Sequence, residues 1–393
     1  MNYGKDLLEL FNIDRDIIFL NNGSFGATPL KVLEYQSVYK KNMEKNPLEF
    51  FLEISPKAIS ESREKLAKLI KVNCENICFV DNATTGVNSV LNFLINQIKI
   101  NGKILYTNHT YPAVVNTLKY YEKYFGIELL QLEIPYPTDK QQIFDIIQNT
   151  DLKGVKVALI DSISSATSLV FPFNELSTFF KSIGIITLVD GAHGVGCLDL
   201  NFEDANFDFF TSNCHKWLFS PKGSAFLYVS DRFKNEIHPQ TISLFYNSGL
   251  IREFEWQGTK DTTSWIAVSS AIDFYFEMGA GKIIEYNNNL IINAKEIISE
   301  SNGTLVADNS INACMSTFLL DIEPDFTTQN TTINLRKFFL KKYNIELPFM
   351  IFDNKIWFRI TAQLFNQISD YQYLTLCLVD FKSNYKLYKK DIL

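Results

Sequence analysis

The sequence predicts an α/β protein: a mainly parallel sheet covered by helices on both faces, followed by a smaller C-terminal α+β domain. Three observations carry that prediction. Short apolar stretches alternate with amphipathic helical ones from residue 77 to residue 229, the pattern of right-handed crossover units. After residue 255 the alternation gives way to a long helical stretch and a few separated strands. A chain of 393 residues, 46% of them hydrophobic, is long enough for two or three domains around a substantial core. The expected division is an N-terminal arm over 1–25 packing near the functional site, a large domain over 26–255 and a small domain over 256–393.

The elements follow in order. Thr28-Pro29 reads as an N-cap with proline at the first helical position, after which Val32, Leu33, Gln36, Tyr39 and Met43 recur at helical spacing until Pro47. A second helix is expected over Ile59–Ile70. Ile77–Val80 is a short apolar strand, and Thr84–Ile98 a helix with Val87, Val90, Leu91 and Leu94 on one face. Lys103–Tyr106 reads as a strand, Ala113–Tyr124 as a helix and Lys156–Asp161 as a strand. Asn174 is expected to cap a helix ending at Gly184, before the strands Ile185–Asp190, Phe207–Ser212 and Ser224–Val229. In the last third, helices over Ser264–Met278 and Ile283–Ser299 precede the strands Ala313–Asp321 and Ile356–Thr361.

Composition excludes several classes. Lys+Arg 37 against Asp+Glu 44 gives a net charge of −7, which opposes a sequence-independent grip on nucleic acid or an anionic membrane. The first residues lack a basic stretch followed by an apolar core, and no apolar run approaches the ~18–20 residues of a membrane span. Six cysteines include one close pair, Cys74 and Cys78, with no second pair or histidines to complete a zinc site. The expectation is a soluble cytoplasmic protein with reduced thiols and no metal.

In an open α/β sheet, ligands bind beyond the carboxyl ends of the strands. There the sequence places Asp190-Gly191-Ala192-His193 after one strand and Asn213-Cys214-His215-Lys216 after the next. A carboxylate and a lysine at neighbouring strand ends suit pyridoxal phosphate (PLP). The amine forms the Schiff base, and the carboxylate keeps the pyridine nitrogen protonated. Asp81-Asn82-Ala83-Thr84-Thr85-Gly86 joins a strand to a helix and offers backbone N–H groups and two hydroxyls to a phosphate.

These segments resemble the class V aminotransferase family of fold-type I PLP enzymes, and within it the isopenicillin N epimerase-like group. The likeness rests on Leu20-Asn21-Asn22-Gly23-Ser24-Phe25-Gly26, Asn82-Ala83-Thr84-Thr85-Gly86-Val87-Asn88 and Val189-Asp190-Gly191-Ala192-His193. It continues through Asn213-Cys214-His215-Lys216-Trp217, Pro221-Lys222-Gly223-Ser224, Trp256-Gln257-Gly258-Thr259-Lys260-Asp261 and Arg359-Ile360-Thr361-Ala362-Gln363. The resemblance implies a seven-stranded-type sheet and a role for each matching position. Lys216 would carry the cofactor and shuttle the Cα proton; Asp190 would pair with the pyridine nitrogen. His193, helped by Ser164 or Ser165, would reach the phenolic oxygen. Thr84, Thr85, Asn213 and His215 would bind the phosphate. Gly258 and Thr259 would reach the phosphate of the other subunit, making the site a property of a homodimer. Tyr111, in preference to His109, would stack on the cofactor and serve as an acid. Arg359 would fork onto the substrate α-carboxylate, with Asn22 and Gly23 closing over it.

Cofactor chemistry leaves the reaction open. The resemblance implies an epimerase-like enzyme acting at the Cα of an amino acid. A C–S lyase is the alternative, because Asp161-Ser162-Ile163-Ser164-Ser165 resembles the corresponding motif of fungal sulfoxide lyases; an aminotransferase is third. A cysteine desulfurase is disfavoured because Leu347-Pro348-Phe349-Met350-Ile351-Phe352, before Arg359, has no thiol. An inactive homologue acting as a binding partner is disfavoured by the presence of both Lys216 and Asp190.

Overall fold

The computed structural model describes residues 2–302, 313–322 and 328–392. Twelve strands are found among the described residues: β1 (Ile18–Phe19), β2 (Ile77–Val80), β3 (Lys103–Thr107), β4 (Glu128–Leu132), β5 (Val155–Asp161), β6 (Ile186–Asp190), β7 (Phe209–Asn213), β8 (Ala225–Val229), β9 (Met315–Leu319), β10 (Ile345–Glu346), β11 (Phe349–Phe352) and β12 (Lys355–Thr361). Seven of them form one sheet in the order β2-β8-β7-β6-β5-β3-β4. β8 runs antiparallel to both of its neighbours, and the other pairings are parallel.

Alternation along each strand builds a core on either face of this sheet, because successive side chains point to opposite sides. Ile77, Phe79, Ala158, Ile160, Phe226 and Tyr228 enter one core. Their neighbours Cys78, Val80, Val157, Leu159, Ala225 and Leu227 enter the other. Each fully buried branched or aromatic side chain contributes about 1.5–3 kcal/mol relative to exposure. With both faces covered, only the sheet's ends are free to carry polar groups. The carboxyl ends of β3, β5, β6 and β7 lie along one edge, joined there by the amino end of the reversed β8.

The sequence expectations need several corrections. The first long helix is Leu30–Lys45 with Pro29 at the N-cap, so Thr28 does not cap it; its hydroxyl donates to Ser220 O at 3.1 Å. The helix Phe173–Ser182 is preceded by Pro172 rather than capped by Asn174, which lies inside its first turn. The helix after β2 is α-helical over Ala83–Asn92 and widens to a π turn through Phe93–Gln97. The edge strand β4 and the helix Lys140–Gln148 are additional elements.

Beyond the large sheet, β11-β12-β9 form an antiparallel sheet packed on the helices Gly281–Asn302, Gln329–Tyr343 and Ile368–Ser383. The segment after residue 255 does not all join that core: Trp265, Ile266, Phe274 and Tyr275 pack into the large sheet's core. β1 pairs in parallel with β10, and Thr361 N–H donates to Leu20 O at 3.1 Å. The N-terminal segment is therefore stitched to the strand that carries Arg359. No helix among the described residues is long and apolar enough to cross a membrane.

Candidate active site

The sheet edge gathers the strand-end residues into one cluster. Lys216 lies in the short helical turn Cys214–Trp217 immediately after β7, with Nζ 3.1 Å from His193 Nε2. Burial pushes its amine down to about 7; the nearby Arg359 charge adds to that shift and Asp190 opposes it. Asp190 ends β6, and its Oδ1 accepts the Ala192 N–H at 3.0 Å. Burial raises its carboxyl, against the pull of that N–H and of Lys216.

Asp161 ends β5 directly beside Asp190 in the parallel register. Its Oδ2 is buried without a hydrogen-bond partner. Burial and then the Asp190 charge hold this carboxyl well above the usual range. The rule that points to Asp190 also reaches Asp161, which closes the strand expected over Lys156–Asp161.

At the neighbouring strand end, Asn82 caps the helix Ala83–Asn92, its Oδ1 accepting Thr85 N–H at 2.9 Å and the Thr85 hydroxyl at 3.2 Å. Asn213 Oδ1 accepts Ala83 N–H at 2.9 Å and ties β7 to that helix. The helix lies close against the sheet at Gly86, where a Cβ would stand 2.3 Å from Thr211 Oγ1. Thr84 and Thr85 sit half-buried in this first turn. His215 donates Nδ1–H to Ser224 O at 2.8 Å, and burial lowers it to about 4. This end offers a helix N-terminus, the Thr84 hydroxyl and the remaining imidazole nitrogen to an anion, with the Thr85 hydroxyl turned to Asn82.

Arg359 is buried in β12. Its Nη1 donates to Ser165 O at 2.7 Å and its Nη2 to Ser24 Oγ at 3.1 Å. Nε has no partner, and burial lowers the guanidinium to about 10. Gly23 borders it, since an added Cβ would lie 3.4 Å from Nη2. Asn22 is differently employed. Its Nδ2 donates to Lys216 O at 2.9 Å, its Oδ1 accepts Ala27 N–H at 2.9 Å, and its N–H donates to Thr361 Oγ1 at 2.9 Å. It braces the backbone of Lys216 through one of the two N–H bonds of its amide.

Ser164, expected to help His193, and His109, set behind Tyr111 as the stacking residue, share a hydrogen-bonded network around Thr167. Ser164 Oγ accepts Leu169 N–H at 2.9 Å and lies 2.7 Å from Thr167 Oγ1, inside its own loop. His109 is buried, with Nε2 2.9 Å from Ile134 O and Nδ1 2.6 Å from Thr167 Oγ1. Its ring stacks on Phe352 at 4.7 Å, and burial lowers it to about 4. Tyr111 remains 42% exposed at the start of the helix Pro112–Phe125. Gly258 and Thr259 are exposed outside the cluster; Gly258 lines a cleft of about 760 Å³ with Leu52, Leu244, Phe245 and Trp256. Ser24, Trp217 and Asp161 join the cluster without having been assigned roles from the sequence.

The class-V aminotransferase family model matches residues 18–347, a span that includes Lys216, Asp190 and the helix N-terminus. The chain belongs to the class-V aminotransferase family. As a class-V enzyme it depends on pyridoxal 5'-phosphate. The residues present fit that group: a desolvated amine, a carboxylate beside it, and an anion-binding helix end. Among relatives, this class-V chain is 29% identical to a probable chloroplastic L-cysteine desulfhydrase of Arabidopsis thaliana, over 93% of this chain and 83% of that one. It is 28% identical to hercynylcysteine sulfoxide lyase of Schizosaccharomyces pombe, over 97% and 98%. It is also 28% identical to isopenicillin N epimerase of Streptomyces clavuligerus, over 76% and 79%. The fold matches that of a cysteine desulfurase from Thermococcus onnurineus with a TM-score of 0.78 at 18% identity, covering 97% of this chain and 98% of that one. This is the fold-type I architecture, with its mainly parallel seven-stranded sheet and smaller C-terminal domain.

Proposed function

We propose that this class-V enzyme is a C–S lyase, eliminating the sulfur substituent of a cysteine-type amino acid. The observation that supports this reading over epimerisation is that a probable L-cysteine desulfhydrase and a hercynylcysteine sulfoxide lyase match nearly the whole chain, while the engagement of His109 leaves Tyr111 as the one expected donor for a second face. Epimerisation needs a proton donor on each face of the reacting Cα. Lys216 serves one face, while both ring nitrogens of His109 are engaged by Thr167 and Ile134. Elimination needs only one base and an acid for the leaving sulfur.

When bound, PLP supplies the electron sink for the Cα–H electrons. Asp190 would hold the pyridine nitrogen, and the Asn82–Gly86 turn with His215 would hold the phosphate. Arg359, with Nε free and Nη2 fixed by Ser24, would orient the substrate carboxylate. Lys216, lowered to about 7, is available as a free amine to take the Cα proton. As the C–S bond breaks its electron pair leaves with sulfur, and the Tyr111 hydroxyl would protonate it. Water completes the balance, giving pyruvate, ammonium and a thiol, or a sulfenate from a sulfoxide. The desulfhydrase and sulfoxide lyase relatives, which span nearly the whole chain, support the same reading. Cys314 and Cys377 are buried with their thiols raised, which weighs against a persulfide-forming nucleophile.

Epimerisation is the second reading, favoured by the exposure of Tyr111 and by the epimerase relative. Proton NMR in D2O with cysteine, cystine, cysteine conjugates and their sulfoxides separates the two. Pyruvate with a released sulfur species is the expected result. Loss of the Cα–H signal with the side chain intact and no pyruvate would overturn the lyase assignment. The working unit is proposed to be a homodimer in which Gly258 and Thr259 reach the partner's phosphate site.

A further inference from the structure

Trp217 follows the cofactor lysine in sequence, yet its side chain acts on a different residue. Its indole Nε1 lies 3.2 Å from His193 Nδ1. An indole N–H can only donate, so Nδ1 must accept. In the neutral ring, the single imidazole proton then sits on Nε2, the atom 3.1 Å from Lys216 Nζ. An N–H pointing at a lysine needs a lone pair to meet, and only the unprotonated amine has one. An ammonium would instead demand that Nε2 accept. That would move the imidazole proton to Nδ1, where it would face the indole N–H donor to donor.

The geometry leaves little room for an alternative. Trp217 and His193 are each 1% exposed. The indole is fixed from two sides, packing with Ile163, Cys197, Cys314 and Met315, and lying 3.3 Å from the position a Cβ on Gly23 would take. Its ring orientation is therefore set by the loops after β5 and β6 and by the start of β9. Burial pushes His193 well below its ordinary range, consistent with a neutral ring.

We propose that Trp217 is a positioning residue: through His193 it fixes the imidazole proton on Nε2 and so presents Lys216 with a donor that only its free amine can accept. The proposal rests on Lys216 being the lysine that takes PLP.

The test is the 15N spectrum of cofactor-free protein labelled at histidine, with His193 assigned by its loss in His193→Gln. The expected result is a neutral ring at pH 7.5 protonated on Nε2. Trp217→Phe, which keeps a ring but removes the N–H, should shift that signal to a mixture of tautomers. An Nδ1-protonated His193 in the wild type, or an unchanged Nε2–H signal in a folded Trp217→Phe, overturns the proposal. If Trp217→Phe does not fold, the wild-type tautomer decides alone. Borohydride reduction of the PLP-loaded protein and peptide mapping test the premise separately. A label on another lysine overturns the Lys216 assignment whatever the tautomer, whereas a label on Lys216 with an Nδ1-protonated ring overturns the proposal by itself.

Discussion

Lys216 is a buried amine held near its midpoint of about 7 by desolvation and the Arg359 charge. An ordinary lysine keeps its proton to near 10.5, so the unfolded chain binds more protons than the folded one between those values. Stability of the cofactor-free protein attributable to this group therefore rises with pH across that window, and the burial penalty is fully felt below it. The raised Asp161 carboxyl acts with the opposite sign: its contribution is present below 3.8 and lost as pH rises through its elevated value. The kinetic consequence is direct, because capture of PLP needs the free amine. The rate at which the bound-cofactor absorbance appears should rise about tenfold per pH unit below pH 7 and level off above about pH 8. Lys216→Ala should show no capture at any pH. A rate still climbing at pH 9.5 would mean that Lys216 is solvated like a surface lysine.

At the level of elements, the N-terminal segment Asn21–Gly26 is part of the site because it lies against the backbone that carries Lys216. Asn22 bonds to Lys216 O, Ser24 bonds to Arg359, and at Gly26 an added Cβ would fall 1.9 Å from Lys216 O. Backbone cannot yield as a flexible side chain can. Gly26→Ala should therefore cost at least about 1–3 kcal/mol in denaturant unfolding. Gly281→Ala is the control, because an added Cβ there meets nothing within 4 Å and the change should be close to neutral. Equal stability of the two variants would remove the segment from its bracing role. Elements of weaker local pattern were harder to read. β4 is an edge strand whose burial is incomplete, so its apolar alternation is diluted. Asp139, which caps the helix Lys140–Gln148 by accepting Gln142 N–H, was the available signal for that element.

For the whole molecule, apolar side chains stand exposed beside the cleft that Gly258 lines. Leu52 is 65% and Leu244 76% exposed there. If this face joins two copies, Leu52→Asp with Leu244→Asp should yield a monomer by sedimentation and weaken PLP binding at least tenfold in titration. A wild-type monomer that binds PLP with full affinity would refute the shared site. The large sheet and its strand-end chemistry were legible because both follow local rules. Alternation identifies strands buried on both faces, and the topology of such a sheet leaves its carboxyl edge as the place for polar groups. Lys216, Asp190, His193, Asn213 and His215 could therefore be placed at that edge from the sequence alone. The tertiary structure decided what those residues touch. Ser24 meets Arg359 across 335 positions, Asn22 meets Lys216 across 194, and Trp217 reaches His193 rather than Lys216 beside it. Ser164 and His109 are drawn into a hydrogen-bonded network around Thr167. Such contacts depend on side-chain direction and on the packing of one sheet against another, and no local periodicity encodes them.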